Sequence, residues 1–293
     1  MIKGGFLTCP CIIFVINDKK TDHFIANPLE ICAFFLYNHR IFIVGGVWTL
    51  AEIISFLSGK GGTGKSALCA GIATCLAQSG KRVLCIDADL GLRNLDIFLG
   101  LNGVEALSLL DVVSGHYPLS AATVHPQFPT LHFLTAPIHC SPEEIDPRQL
   151  EQFLTRAQET FDFIFLDGPA GIGAGMALVS RFAHRNVVVT LPDPASIRCA
   201  ERCAQELEKR GATNCRLVVN RLYGDLMKAL GKNIDDVMDE VGLPLLGIVP
   251  TDPNVSLAAA HGKALIKYTH FGATAACKRI AKRILGLNVP ISR

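Results

Sequence analysis

Residues 58–66 form a glycine-rich segment whose residue types suit the binding of phosphate groups. Gly59 and Gly64 enclose four residues and are followed directly by Lys65 and Ser66, after a predicted strand and before a predicted helix. Glycines allow backbone N–H groups to turn inward around phosphate oxygens at the positive end of a helix. In such a loop the lysine reaches the β- and γ-phosphates and the serine hydroxyl is a ligand of magnesium. The segment therefore predicts a site for a nucleoside triphosphate with Mg²⁺.

Lys60 is a second lysine inside this loop, where an ordinary phosphate loop needs no cation. Two interpretations stay open from the residues alone. The side chain is either a solvated loop charge, or a cation directed at phosphates from an unusual side, such as across a dimer interface.

Three aspartates end predicted strands beside the phosphate loop. Asp87 and Asp89 follow the second strand of the pattern, and Asp167 follows the fourth. Because ligands of open parallel sheets bind outside the carboxyl ends of the strands, we expect these carboxylates to lie close together. Phosphoryl transfer needs a carboxylate in the magnesium shell and a group that orients the attacking water. Asp167 suits the first role and Asp89 the second, and the glycine-rich segment 168–174 is expected to move with the γ-phosphate.

Alternating strand and helix patterns from residue 52 onward must position these side chains. The predicted strands are 53–58, 82–87, 131–135, 161–166, 186–191, 215–219 and 245–249. The predicted helices lie near 65–79, 105–114, 146–160, 172–184, 194–210, 232–241, 254–268 and 273–285. Continuous apolar strands, each followed by a helix, indicate parallel strands buried on both faces. We predict one doubly wound α/β domain over residues 51–293, with a mostly parallel sheet flanked by helices.

The first 50 residues do not share this alternation. Segment 6–16 is apolar but precedes no small-residue cleavage site, and segment 31–47 is interrupted by the polar residues 38–40, so it is a poor membrane span. Three interpretations stay open: an extension peculiar to this gene or lineage, a peripheral apolar anchor, and a signal peptide. We expect residues 1–50 to be an extension outside the nucleotide-binding domain.

Composition excludes several classes of protein. The chain has 293 residues, 49% of them apolar, and a formal charge of +2, so it is neither disordered nor strongly nucleic-acid-binding. Its eleven cysteines contain no C-x-x-C pair, which favours reduced thiols in the cytosol over a disulfide scaffold. Residues 261–293 hold seven basic and no acidic side chains. Helix 273–286 is basic and amphipathic, and we expect its apolar face to pack on the sheet, leaving a cationic face that can attract anionic lipid.

The motifs described above resemble those of the MinD/ParA ATPases, which share a deviant Walker motif. Segment 60–66 carries the extra lysine of that family, and segments 89–96 and 167–172 look most like its MinD members, the septum site-determining ATPases. The similarity extends from about residue 53 to residue 285. It implies the P-loop nucleotide hydrolase fold of this family.

The resemblance also implies a function. The chain is expected to bind Mg-ATP, to dimerise face to face on ATP, and to hydrolyse ATP slowly under stimulation by a partner in order to regulate septum placement. Lys60 would contact phosphates of the opposite subunit, and it is expected to be catalytic together with Lys65 and Asp89. Magnesium is expected on Ser66, Asp89 and Asp167. The predicted nucleotide contacts are Gly59, Lys60, Gly61, Gly62, Thr63, Gly64, Lys65, Ser66, Ala67, Asn220, Arg221, Pro250 and Asp252.

Several alternatives accompany this interpretation. Asn220 either reads the exocyclic amine of adenine or forms a turn. The expected partners are a second copy of the chain and proteins of the division-site system, in the cytoplasm or at the inner face of the cell membrane. The same fold also serves flagellar placement, DNA partitioning and nucleotide-dependent scaffolds, and a metal-cluster carrier would need the C-x-x-C that is missing.

Two positions depart from the family pattern. Gly168 replaces the hydroxyl residue that commonly follows the second aspartate, and Cys199 stands where MinD proteins usually carry an acid implicated in partner contacts.

Overall fold

The computed structural model describes residues 40–43, 46–90, 93–137, 140–141, 144–223, 227, 229 and 231–291. The chain divides into two compact units between Leu50 and Ala51, and each is described by itself. In the first unit, Arg40–Ile43 (β1) pairs antiparallel with Gly46–Thr49 (β2). The apolar segment 6–16 and the beginning of segment 31–47 lie outside the described residues, so the interpretation of the first 50 residues stays a prediction.

The second unit is built on an eight-stranded sheet. Its strands are Glu52–Ser58 (β3), Val83–Asp87 (β4), Thr123–His125 (β5), Phe128–Leu134 (β6), Phe163–Ala170 (β7), Arg185–Thr190 (β8), Cys215–Leu222 (β9) and Leu245–Pro250 (β10). Their order is β10-β9-β8-β3-β7-β4-β6-β5, and each pairing is parallel except that of β5 with β6. This confirms the predicted mostly parallel sheet.

Helices connect the strands and cover both faces of the sheet. The described helices are Lys65–Gln78 (α1), Leu95–Leu99 (α2), Leu109–Val113 (α3), Pro147–Thr160 (α4), Ala174–Phe182 (α5), Pro194–Lys209 (α6), Ile234–Val241 (α7), Asn254–Ala260 (α8), Leu265–Tyr268 (α9) and Ala273–Ile284 (α10). None of the described helices combines the length and the apolarity needed to span a membrane.

The apolar runs of the strands fill two buried clusters, one on each face of the sheet. Successive residues of β3 point to opposite faces: Ile54 and Phe56 pack in the cluster that includes α1 and α10, whereas Ile53 and Leu57 pack in the cluster that includes α4 and α6. This two-sided burial explains why β3 is a continuous apolar run rather than an alternating one.

The basic helix α10 packs its apolar face on the sheet, as predicted. Cys277, Ile280 and Ile284 are buried in the core, and Ile280 lies so close to β10 that a Cβ on Gly247 would meet its Cγ1 at 2.5 Å. The Arg283 guanidinium donates hydrogen bonds to the carbonyl oxygens of Leu246 and Val289, both at 2.9 Å. The cationic face of α10 therefore contributes to the fold through Arg283 as well as remaining partly exposed.

Several helix predictions differ from the structure. The helix expected over 105–114 begins at Leu109, because Ser108 caps it and exchanges hydrogen bonds with Asp111. The helix expected over 254–268 is divided into α8 and α9 by Gly262, which has a left-handed φ of 59°. The short helix α2 and the antiparallel edge strand β5 were not predicted, since each is too short to show a periodic pattern.

Strand β7 also continues beyond its predicted end at residue 166. Ala170 pairs with Ser58 of β3, and the Gly171 N–H donates to the Ser58 carbonyl oxygen at 2.8 Å. The first residues of segment 168–174 are thus part of the sheet, and movement of the segment stays a prediction.

Candidate nucleotide-binding site

The glycine-rich loop connects β3 to α1 at the carboxyl edge of the sheet. Gly62 and Gly64 have left-handed φ values of 78° and 90°, which only glycine adopts without strain. The Ser58 hydroxyl donates to the Lys60 carbonyl oxygen at 2.7 Å and closes the beginning of the loop. Helix α1 begins at Lys65 without a side-chain cap, so its first N–H groups are available to an anion. The structure thus brings the predicted phosphate contacts together in one loop around a helix N-terminus.

The beginning of this loop contacts helix α6. A Cβ on Gly59 would overlap the backbone carbonyl of Cys199, so a larger residue at position 59 would displace the loop. Cys199 is half-buried there, and its backbone rather than its thiol forms the contact.

Lys60 is exposed and lies near the start of α6, where Asp193 caps the helix. Burial acts to raise the pKa of Asp193, but the hydrogen bonds from Ser196 and the nearby Lys60 ammonium together hold that pKa below its ordinary value. The loop lysine is therefore solvent-exposed, with Asp193 close to it.

Asp167 and Asp87 are paired in register on the neighbouring strands β7 and β4. Both carboxylates are buried, and burial raises the pKa of Asp167 to about 8, with the negative charge of Asp87 acting in the same direction. The Ser66 hydroxyl and the Lys65 ammonium act in the opposite direction, so both lie near Asp167. Ser66 is close enough to act as a donor that lowers the Asp167 pKa, but neither Asp167 oxygen has a hydrogen bond of good distance and angle among the described residues.

This buried carboxylate fits a divalent cation. A buried carboxylate is unfavourable unless it is paired with a cation or with hydrogen-bond donors. Mg²⁺ is usually held by one or two carboxylates, a hydroxyl, waters and substrate phosphates rather than by a complete cage of protein ligands. In the described part of the chain, no group of three or more His, Cys, Asp and Glu side chains is arranged to hold a metal ion. Ser66 and Asp167 suit such an open site.

Asp87 has a different role, which the sequence did not indicate. Its Oδ1 accepts the N–H of Asp89 at 3.0 Å, and its Oδ2 accepts the N–H groups of Asn94 and Leu95, both at 3.1 Å. Burial raises the pKa of Asp87 to about 6, although these three hydrogen bonds oppose the rise. The carboxylate therefore fastens both ends of the loop that follows β4.

Asp89 is the carboxylate of this loop that faces the phosphate loop. It is half-buried, burial raises its pKa, and the Lys65 ammonium lowers it, which places the two side chains near each other. Arg93 in the same loop has a left-handed φ of 38°. Asp89 is thus held beside the lysine that is predicted to bind the β- and γ-phosphates.

A cavity of about 380 Å³ opens beside the loop, between the ends of β9 and β10. Its lining includes Gly64, Ala67, Asn220, Arg221, Pro250 and Asp252, all predicted to contact the nucleotide. Phe98, Val255, Ser256, Leu265, Ala273 and Cys277 line it as well and were not predicted. The periodicity of α10 placed Cys277 on its apolar face, but only the packing of α10 against α1 shows that this face also borders a cavity.

Two predicted members of this pocket have their polar atoms engaged by the protein. The Asn220 side chain donates to the Thr63 carbonyl oxygen at 2.8 Å. The Asp252 carboxylate accepts the N–H of Asn254 and the N–H of Ala273, both at 2.9 Å. Asp252 thus fixes the starts of α8 and α10 while it borders the cavity.

Close packing around position 168 leaves little room for a side chain. A Cβ at this position would meet Leu57 Cδ2 at 2.8 Å and the Phe56 carbonyl oxygen at 3.1 Å. The glycine that replaces the hydroxyl residue common at this position therefore lies at a close contact between β7 and β3.

Comparison with known proteins gives concordant results. Residues 54–266 match the family described as the CobQ/CobB/MinD/ParA nucleotide binding domain. The chain is 36% identical over 246 residues to the septum site-determining protein MinD of Bacillus subtilis, covering 83% of this chain and 92% of that protein. Its structure resembles a chain of the Aquifex aeolicus MinC:MinD cell division protein complex, with a TM-score of 0.76, 33% identity and coverage of 83% of this chain and 99% of that chain. It also resembles the Pyrococcus horikoshii MinD complexed with Mg-ADP, with a TM-score of 0.69, 27% identity and coverage of 80% and 96%.

Proposed function

This chain belongs to the CobQ/CobB/MinD/ParA family of nucleotide-binding domains and is a MinD-like ATPase of the septum site-determining type, and from this premise we propose that it binds Mg-ATP and hydrolyses it to ADP and phosphate. We also propose a cycle in which bound ATP favours a dimer and hydrolysis of ATP restores the monomer. The observation that carries it is the Asp167 carboxylate, which is buried beside Ser66 and Lys65 of the phosphate loop and has no well-formed hydrogen bond among the described residues.

In the proposed site the protein binds phosphates mainly through its backbone. The N–H groups of the loop and of the first turn of α1 would surround the β-phosphate, and Lys65 would neutralise the β- and γ-oxygens. Ser66 and Asp167 would hold Mg²⁺, with Asp89 near its shell, and the ion would supply charge stabilisation for the transferred phosphoryl group. The Pyrococcus horikoshii relative is complexed with Mg-ADP, which supports this choice of nucleotide and ion.

Asp89 is proposed to orient the attacking water. It is half-buried, and its N–H is held by Asp87, so the position of its carboxylate relative to Lys65 is restricted. A carboxylate held in place acts as an acceptor for a water proton and fixes the direction in which the water approaches the γ-phosphate.

Lys60 is proposed to act across a dimer. Its exposure beside the loop supports this proposal, in which it contacts phosphates bound by a second copy of the chain. We further propose a protein partner from the division-site system, since the Aquifex relative forms a complex with MinC. We place the protein in the cytoplasm, with weak contact between the cationic face of α10 and an anionic membrane.

The substitution Asp89→Ala tests the proposed reaction. Turnover of ATP is expected to fall by roughly a hundredfold or more, because the group that orients water is lost. ATP-dependent dimerisation, measured by light scattering after size-exclusion chromatography, is expected to persist because the phosphate contacts remain.

Asp96→Ala is the matched control, since Asp96 lies in α2 and its Oδ1 accepts only the N–H of its neighbour Ile97 in the described structure. This control should retain wild-type turnover. Unchanged turnover in Asp89→Ala would refute the role of Asp89. Failure of the wild-type chain to bind ATP in the presence of Mg²⁺ would refute the proposed function.

A further inference from the structure

Phe98 is the only aromatic side chain among the described residues that line the cavity beside the phosphate loop. It lies in the short helix α2 and is half-buried. Part of its surface packs against the buried cluster that contains α1 and α10, and the residue also borders the cavity. One aromatic ring therefore belongs both to the core and to the wall of the cavity.

The burial pattern of α2 explains how Phe98 comes to have these two contacts. Leu95 and Leu99 are completely buried at a spacing of four residues, which defines the face of the helix that packs on the core. Phe98 lies three positions after Leu95 and so belongs to the edge of this face. Ile97 points outward and is 37% exposed. The ring that borders the cavity is therefore carried by the face that anchors α2.

Both ends of α2 are held by other parts of the chain. At its start, the N–H of Leu95 donates to Asp87 Oδ2 at 3.1 Å. At its end, Gly100 has a left-handed φ of 75°, and a Cβ there would meet the backbone nitrogen of Ala264 at 2.6 Å, just before α9. These contacts fix the helix in place, so Phe98 does not have to be ordered when a ligand binds, which favours affinity.

The lining of the cavity is divided chemically between the strands and the helices. Polar side chains are contributed at the ends of β9 and β10, and they are Asn220, Arg221, Thr251 and Asp252. The surrounding helices contribute mainly apolar side chains, which include Leu68, Phe98, Val255, Leu265 and Cys277. A nucleotide base is a flat group with apolar faces and a polar edge. The cavity therefore offers suitable contacts to both parts of a base.

We propose that Phe98 is a specificity-determining residue of the nucleotide site, whose ring contacts the face of the base and favours a purine over a pyrimidine. This role rests on the proposed function, because the base in question is that of the bound nucleotide. A purine has two fused rings and a pyrimidine has one, so a purine places more area against the aromatic side chain. Hydrogen bonds from the polar side chains at the ends of β9 and β10 to the edge of the base are compatible with this contact.

Three ligands separate contact with the base from a general effect on the site: Mg-ADP, Mg-CDP, whose smaller base keeps an exocyclic amine, and Mg-pyrophosphate, which has no base. Their dissociation constants are measured by calorimetry at fixed Mg²⁺ for the full chain and for Phe98→Ala. The affinity for ADP is expected to fall roughly tenfold in the variant, because the ring that contacts the base is lost. The affinity for CDP is expected to fall roughly twofold to threefold, and that for pyrophosphate to stay at the wild-type value.

Two further variants control for damage to the fold. Phe98→Leu keeps an apolar side chain against the buried cluster but has no flat ring. It should bind pyrophosphate like the wild type and still lower the ratio of ADP affinity to CDP affinity. Ile97→Ala changes the neighbouring position of α2, which is not among the described residues that line the cavity. This variant is expected to bind all three ligands like the wild type.

Other results would overturn this role. An unchanged ratio of ADP affinity to CDP affinity in both Phe98 variants would show that the ring does not contact the base. Equal losses of ADP and pyrophosphate affinity in both variants would show that Phe98 acts through the shape of the phosphate loop. A wild-type chain that binds pyrophosphate alone, or none of the three ligands, would contradict the proposed function itself.

Discussion

The Asp87 carboxylate accepts N–H groups from both ends of the loop that carries Asp89. Its two oxygens are divided between these ends, Oδ1 to Asp89 and Oδ2 to Asn94 and Leu95, so the loop is closed by one side chain. Burying a carboxylate next to Asp167 is electrostatically unfavourable, and the three hydrogen bonds offset part of this cost. At the scale of single residues, the site therefore depends on a carboxylate that is expected to touch neither nucleotide nor water.

The substitution Asp87→Asn is expected to loosen this loop, since an amide offers one acceptor oxygen in place of two. Amide hydrogen exchange at Asn94 and Leu95 should accelerate, and kcat for ATP should fall by roughly tenfold to a hundredfold, because Asp89 is held less well. The dissociation constant for Mg-ADP should change less than kcat. The measurements are exchange by mass spectrometry and steady-state kinetics.

Asp111→Asn is the control for this prediction. Asp111 also accepts backbone and hydroxyl hydrogen bonds, but within the cap of α3, away from the phosphate loop. It should alter exchange only near Ser108. Wild-type exchange at Asn94 and Leu95 in Asp87→Asn would contradict the role given to Asp87.

Two helices that border the cavity beside the phosphate loop have their first N–H groups bonded to the same side chain. Asp252 Oδ1 accepts the N–H of Asn254 at the start of α8, and its Oδ2 accepts the N–H of Ala273 at the start of α10. The chain approaches α10 through Gly272, where a Cβ would overlap the Asp252 carboxylate. At the scale of elements, one residue therefore sets the positions of two helices that line the cavity.

Asp252→Ala is expected to lower the free energy of unfolding by about 2 kcal/mol, because two helix starts lose an acceptor. Asp146→Ala is the matched comparison, since Asp146 caps the start of α4 alone and accepts the Arg148 N–H at 2.8 Å. It should cost about 1 kcal/mol. Urea unfolding measures both values, and equal losses in the two variants would contradict the double role of Asp252.

The order of the strands brings distant parts of the chain to one edge of the sheet. β3 lies between β7 and β8, and β7 pairs with β4, so the phosphate loop, Asp167 and the Asp87–Asp89 segment share the carboxyl edge. β9 and β10 lie on the other side of β3 and contribute to the cavity beside the phosphate loop. At the opposite end of the sheet, β5 and β6 contain two histidines that are buried to different degrees and belong to the fold rather than to the site.

These histidines make stability depend on pH. Burial lowers the pKa of His125, whose Nε2 lies 2.8 Å from the Leu99 carbonyl oxygen and whose Nδ1 accepts the Gln127 N–H, with Lys267 nearby. Burial also lowers the pKa of His132. Because the folded state disfavours their protonation, the stability they contribute is present above the unfolded pKa of about 6.5 and is lost as pH falls below it.

His125→Gln should therefore reduce the loss of stability between pH 7.5 and pH 5.5. The difference in unfolding free energy between the two pH values should be smaller than in the wild type by roughly 1 kcal/mol, measured by urea unfolding. The exposed His270→Gln should retain the wild-type difference. Comparing variant with wild type cancels the contributions of the carboxylates, and an unchanged difference in His125→Gln would exclude His125 as a source of the pH dependence.

Local patterns in the sequence were sufficient for the alternation of strands and helices and for the phosphate loop. A phosphate loop needs particular residues at fixed spacing, and a buried parallel strand needs a continuous apolar run, so both are visible within a few residues. For the same reason Asp89 and Asp167 stood out at the ends of apolar runs, although Asp167 lies inside β7 and the roles of both residues stay predictions.

Only the tertiary structure decided which atoms of these residues are engaged by the protein. The bonds from Asn220 to Thr63 and from Asp252 to Ala273 join segments far apart in sequence, and the close packing of Gly168 on Leu57 depends on strand order. No local pattern encodes such pairs, because each residue alone would suit a turn, a cap or a ligand contact equally well. The sequence by itself therefore determined the chemistry available to this protein, whereas the packing of the sheet and its helices decided which side chains orient the site and which line it.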